Sequence, residues 1–293
     1  MNFAHILLFL AGAIAALLLA SAKIVGEVVP PGQIIFSLGI YSFLPSLIYF
    51  GLKGDIPFRL YLNAPLLQSA MGLGVVAAFW LLLMVLNTHS LLFAALLVFM
   101  LSAMQLASRY WRRKESRQAE GRFGIDMIIC GVAMFALPLL IKLPVATANL
   151  MAILVVAWCG ALLALRQSKV WRSQWKLVWP SALGFYSSIL AVIVGAFSTS
   201  QGWVDPNTAE SFHLIWIGVL FGLMQIAIIH AKRLEGLKRP NFNFETGFLL
   251  MVTFLEIAYF RERPANNILF ALPFFLSALI FMAGQKRAPK GER

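Results

Sequence analysis

Residues Asn243–Met282 read NFETGFLLMVTFLEIAYFRERPANNILFALPFFLSALIFM. An apolar run leads into Phe260-Arg261-Glu262-Arg263-Pro264, and a second apolar run follows, closed by Gln285-Lys286-Arg287. Each run is apolar all the way round, so neither has the polar face of a soluble hairpin helix. Each approaches the roughly 20 residues that cross a ~30 Å hydrocarbon layer. The stretch therefore reads as a transmembrane hairpin, and the rest of the chain extends the same pattern.

Hydrophobic residues make up 60% of the 293 positions and charged residues 12%, against roughly 45–50% and 25% in soluble domains. Mean hydropathy is +0.82. The longest hydrophilic stretch, Arg109 to Arg122, is a loop and not a domain. The net charge of +12 would point to nucleic acid in a soluble protein. Here the bases sit in short loops between apolar runs, where they set orientation, so no nucleic-acid partner is expected. Cys130 and Cys159 both fall inside apolar runs without ligand spacing, so neither a disulfide framework nor a metal site is expected. The N-terminal residues lack the cationic region of a secretory signal, so the first apolar run is read as a span.

Ten spans are placed: His5–Ala22, Gln33–Leu52, Pro65–Leu86, Ser90–Ala107, Gly124–Ile141, Val145–Leu165, Leu177–Ser200, Phe212–His230, Phe244–Phe260 and Asn266–Gly284. Lipid offers no partner for exposed backbone, and no ten-residue alternation suggests a barrel, so all are expected to be helices. With a cytoplasmic N-terminus, 20 of the 24 Lys and Arg residues fall in inside loops or the tail, and Lys23, Lys142, Arg261 and Arg263 fall outside. That asymmetry supports the count and places both termini in the cytoplasm. The expected location is the cytoplasmic (inner) membrane of a bacterium.

Setting Glu115 over Glu262 without gaps brings Gly124 onto Ala271 and Gly131 onto Ala278, an offset of 147. Both copies read Glu, eight residues, small, six residues, small. The offset divides the chain into residues 1–143, an N-terminal repeat with spans 1–5, and 144–293, a C-terminal repeat with spans 6–10. Five spans is an odd number, so the second copy enters the membrane upside down. Inverted repeats of this kind build many secondary transporters, with the solute site near the midplane.

Ten spans in two five-helix halves, each closing on this spacing, resemble the drug/metabolite transporter superfamily. Phe260-Arg261-Glu262-Arg263-Pro264 is similar to the Gly-Glu-Arg-like end of a ninth span, and Arg122-Phe123-Gly124-Ile125 with Ile129-Cys130-Gly131-Val132 resembles the start of a fifth. Ser102 and Leu249 stand where such proteins often carry a proline. The resemblance implies a permease-like member that moves small organic metabolites by alternating access.

Ionisable residues inside spans are costly and are site candidates. Glu256 is the one carboxylate well inside a span. It is read either as a proton- or cation-binding group on the translocation path or as an interfacial partner of Arg261 or Arg263. Asp126 and Glu245 sit at span starts, where the helix dipole favours them. His5, His89, His213 and His230 are terminal and share no metal-ligand spacing. Neutral polar and aromatic residues deeper in the spans are the substrate-binding candidates: Tyr41, Gln68, Trp80, Ser102, Gln105, Asn149, Trp158, Tyr186 and Gln225, with Ser187 and Ser188 in the same run as Tyr186. The structural alternative for each is interhelical hydrogen bonding or packing against lipid. Gly12, Ala16, Ala20, Gly218 and Gly222 form small-residue stripes for close helix contact, and Pro180 with Gly184 is expected to bend the seventh span.

The expected function is a secondary transporter, an exporter of amino acid-like or amphiphilic cationic solutes, with proton coupling left open. Its partners are then the solute and membrane lipid, with homodimer formation also open. No Gly-rich phosphate loop is present and no cofactor is implied. The alternative class is a membrane assembly subunit or a membrane-embedded enzyme. An enzyme needs a convergent set such as paired Asp or Ser-His, and none is evident, so the chain is not read as one.

Overall fold

Long apolar runs have one stable backbone solution away from water, which is to satisfy every amide within a helix. The computed structural model describes residues 3–53, 65–87, 90–95, 180–235 and 243–261. Among them the elements are α1 (Phe3–Gly26), α2 (Pro31–Lys53), α3 (Pro65–Leu86), α4 (Pro180–Phe197), a 3₁₀ turn (Ser198–Gln201), α5 (Thr208–Glu235), α6 (Asn243–Phe254) and a π-helical segment (Leu255–Phe260). Residues 91–95 add the start of a further helix. Among the described residues, three helices are long and apolar enough to cross a membrane, over Phe3–Gly26, Pro31–Tyr49 and Thr208–Ala231. Gly72–Leu86 and Gly184–Ser200 are shorter apolar helices. Described residues that are almost wholly helical, with such helices among them, are those of a membrane protein.

The expected spans on described residues all coincide with helices, with ends moved by a few residues. The largest extension is at α5, which begins at Thr208 and not at Phe212. Its first turn is held by a reciprocal capping box. The Glu210 N–H donates to Asn207 Oδ1 at 2.9 Å, and the Asn207 N–H donates to Glu210 Oε2 at 2.8 Å. The fifth, sixth and tenth spans, most of the fourth, and hence the ten-span count lie outside the described residues. Pro180 is the first described residue of α4, and the helix continues through Gly184.

The helices form a continuous set around α2. α4 and α5 lie along α2, α3 lies beyond α4, and α1 and then α6 lie beyond α5. Contact points give the directions. Phe36 faces Gly195, Gly39 faces Val192 and Ser42 meets Ser188, so α2 and α4 are antiparallel. Tyr41 faces Gly218 and Pro45 faces Gly222, so α2 and α5 are parallel. Gly72 lies against Ser187, and Trp80 and Ser198 both crowd Gly32, so α3 and α4 are parallel. Ala4 and Leu8 cluster with Ala231, which makes α1 antiparallel to α5.

Small residues set how closely these helices approach. A methyl at Gly39 would lie 2.7 Å from both the Ser188 carbonyl oxygen and the Val192 nitrogen. One at Gly218 would lie 2.8 Å from the Ser37 carbonyl oxygen. Backbone approach of this kind is how helices gain contact in lipid, where the hydrophobic effect does not drive them together. Ile34, Leu83, Ile217 and Val252 fill the shared core, while Leu44, Leu47 and Ile48 of α2, Phe254 of α6 and Ile257 of the π-helical segment point outward, as lipid contact requires.

Candidate functional site

Ser42 is the twelfth of the 23 residues of α2, and Ser188 is the ninth of the 18 of α4, so the two helices cross at their middles. The two hydroxyls are 2.7 Å apart and buried. Each also reaches a carbonyl of its own helix, Ser42 that of Gly39 at 2.8 Å and Ser188 that of Gly184 at 2.9 Å. The hydroxyl protons therefore have more than one acceptor to choose from, and the pair can reorient without leaving a buried polar group unmet. Ser187 donates to the same Gly184 carbonyl at 2.8 Å.

Two further features loosen the backbone at this crossing. Pro45 lies inside α2 and removes one helical hydrogen bond. One residue on, the Ser46 hydroxyl donates to the Ser42 carbonyl at 3.1 Å, a side-chain bond that bends helices. Polar side chains and an interrupted helix thus coincide at mid-depth.

Five of the sequence candidates lie on the helices that meet here. Gln225 of α5 lies over Gly184, with its Oε1 3.2 Å from where a Cβ would stand. Tyr41 is half-buried against Gly218. Tyr186 is half-buried beside Gly72, its ring edge-on to Phe185 at 6.2 Å. Gln68 is fully buried one turn before Gly72, and therefore on the same side of α3. Trp80 is half-buried too, but at the far end of α3 beside Gly32, away from the crossing. Ser102, Gln105, Asn149 and Trp158 lie outside the described residues. Ser42 and Ser46 were not singled out in the sequence, because a lone serine in an apolar helix looks like any other until its partner across the crossing is known.

Beside the crossing, α2, α3, α4 and α5 line a small gap of about 10 Å³, room for no more than about one water. Its lining is apolar apart from Ser187 and includes Leu38, Val76, Phe79 and Phe221. Small-molecule pockets run from roughly 300 to 1,000 Å³, so the gap as it stands is far below solute size.

Glu256 occupies a separate place. It is fully buried on the π-helical segment, and its Oε2 accepts the Leu92 N–H at 3.2 Å. The Ser90 hydroxyl accepts the Phe93 N–H at 3.2 Å. Together they satisfy two of the free donors that open the helix at 91–95. The carboxylate is therefore aimed into the bundle, while Arg261 is exposed and left-handed at φ 53°. Nearby, Lys23 of α1 stands 4.9 Å over the Phe260 ring. No protein-family model matches the chain, and no curated protein matches it either.

Proposed function

We propose that the chain is a secondary transporter that exports small organic metabolites across a bacterial cytoplasmic membrane by alternating access, in the manner of the drug/metabolite transporters it resembles. The observation that carries the reading is the register of the central crossing. Ser42 and Ser188, bonded across it, are 146 residues apart. Gly72 and Gly218 are also 146 apart, and the residues they press on, Ser187 and Tyr41, differ by the same number. An inverted repeat with its two-fold axis through the crossing would turn the α2–α5 contact into the α4–α3 contact and return the α2–α4 contact to itself. The directions agree with this, since both interchanged pairs are parallel and the self-related pair is antiparallel. The offset is within one residue of the 147 read from the Glu115 and Glu262 motifs.

The same helices support the ten-span reading. α3 and α4 run in the same direction, which requires an odd number of crossings between them, and the ten-span reading supplies three. The positive-inside asymmetry then puts both termini in the cytoplasm. At the crossing, serine hydroxyls, the Gln225 carboxamide and the Tyr41 and Tyr186 rings offer hydrogen bonds and aromatic faces to a solute. Because the gap beside the crossing is far below solute size, binding must part the helices, as alternating access demands.

Purified protein in liposomes is expected to exchange labelled amino acids or an amphiphilic cation faster than protein-free liposomes do. Ser188→Ala, which removes the central hydroxyl and adds no bulk at this close crossing, is expected to raise KM more than it lowers Vmax. Absence of flux for both solute classes under every imposed gradient would reject the transporter reading.

A further inference from the structure

We propose that residues 198–207, between α4 and α5, form a strap that seals one end of the central crossing, and that Gln33 is its latch. This rests on the transporter reading for its purpose, though not for its test. Gln33 lies in the first turn of α2 and is only 6% exposed. Its Nε2 donates to the Val204 carbonyl at 2.8 Å, and its Oε1 accepts the Val204 N–H at 3.1 Å. One side chain thus satisfies both backbone groups of a loop residue 171 positions away.

The rest of the strap is seated on the same spot. The Trp203 ring tilts over Phe36 at 4.9 Å between centroids, and its Nε1 donates to the Ser198 hydroxyl at 3.3 Å. Ser198 in turn lies against Gly32, with the Trp80 ring beside the same glycine. The strap therefore covers the point where the start of α2, the end of α4 and the end of α3 converge. Below it, α2 and α4 touch through Phe36 and Gly195. Those helices cannot separate at this end while the strap remains on Gln33.

The strap is also built to release. Gly202, at φ 79° with open space where a side chain would stand, forms a turn that only a residue without Cβ adopts freely. The α5 end is held by its own Asn207–Glu210 box, so lifting the strap leaves α5 capped. What parts from α2 is a pair of neutral hydrogen bonds and a ring contact, at a position where water takes over the bonds. Val204 is already 42% exposed. By the charge asymmetry of the loops, this is the outer end.

The test uses Ser37→Cys as a reporter, since Ser37 is buried on α2 one turn below Gln33, in a full-length chain with Cys130 and Cys159 replaced by serine. A membrane-impermeant thiol reagent added outside right-side-out vesicles is expected to label it slowly. Gln33→Ala is expected to speed labelling on the order of tenfold, because local opening loses two bonds that oppose it. Trp203→Phe, which keeps the ring contact and drops the bond to Ser198, is expected to give a smaller increase. An unchanged rate in Gln33→Ala protein that melts like the parent overturns the proposal. If Gln33→Ala fails to fold, the rate in Trp203→Phe decides in its place. Labelling requires no solute, so failure of the strap and failure of the transporter reading are separate results.

Discussion

Gly12→Val is expected to lower the melting temperature of the protein by about 10 °C or more. α1 and α6 meet backbone to backbone, and the contact is reciprocal. A methyl at Gly12 would strike the Phe244 carbonyl oxygen and stand 2.7 Å from the Phe248 nitrogen, and one at Gly247 would strike the Phe9 carbonyl oxygen. None of these neighbours is a flexible side-chain end, so the helices themselves must separate. Overpacking a close-packed site costs about 1–3 kcal/mol, and backbone collision belongs at or above the upper end. At roughly 2–4 °C per kcal/mol for a chain of this size, the melting temperature in detergent falls by about 10 °C or more. Gly202→Ala is the control, because its site has the unfavourable φ but open space. It is expected to cost only the ~1–2 kcal/mol of a left-handed residue. A Gly12→Val protein that melts with the parent would mean that α1 and α6 do not touch in this way.

How much of this was legible in the sequence depends on the range of the interaction. Helix positions follow from runs of apolar residues, and each described helix lies where such a run was found. The earlier start of α5 was legible too, since Asn207 followed three residues later by Glu210 is a capping signature that hydropathy alone passes over. The small-residue stripes were readable as contact faces, and Gly12, Gly218 and Gly222 do press on neighbouring backbone. Partners were not readable. That Glu256 is buried follows from its apolar neighbours, but its bond to an amide 164 residues away does not. The Gln33 latch is hidden for the same reason, as its partner is main chain and carries no sequence signal. Ser42 and Ser188 lie between these cases. Each is inconspicuous alone, and the 146-residue spacing gives them meaning only once the crossing is known.

Glu256 is where stability and coupling can be told apart by substitution. Its carboxylate holds the Leu92 N–H, so Glu256→Ala leaves a buried donor unmet at a cost of about 1–3 kcal/mol. Glu256→Gln keeps a carbonyl oxygen that can accept the same N–H, so it is expected to melt close to the parent while losing the ionisable group. If protons drive the solute through this carboxylate, flux in the parent responds to an imposed pH gradient and flux in Glu256→Gln does not. The physical link is short. A protonated carboxyl is a weaker acceptor for an amide than a carboxylate, so proton binding loosens the start of the helix at 91–95 from the end of α6. The π-helical segment under Glu256, a form that recurs at functional sites, places the carboxylate against that helix start. The decisive comparison is therefore Gln against Ala. Loss of the pH response in a well-folded Gln variant assigns coupling to Glu256. An unchanged response in Gln beside a destabilised Ala variant assigns it to holding the helix start alone.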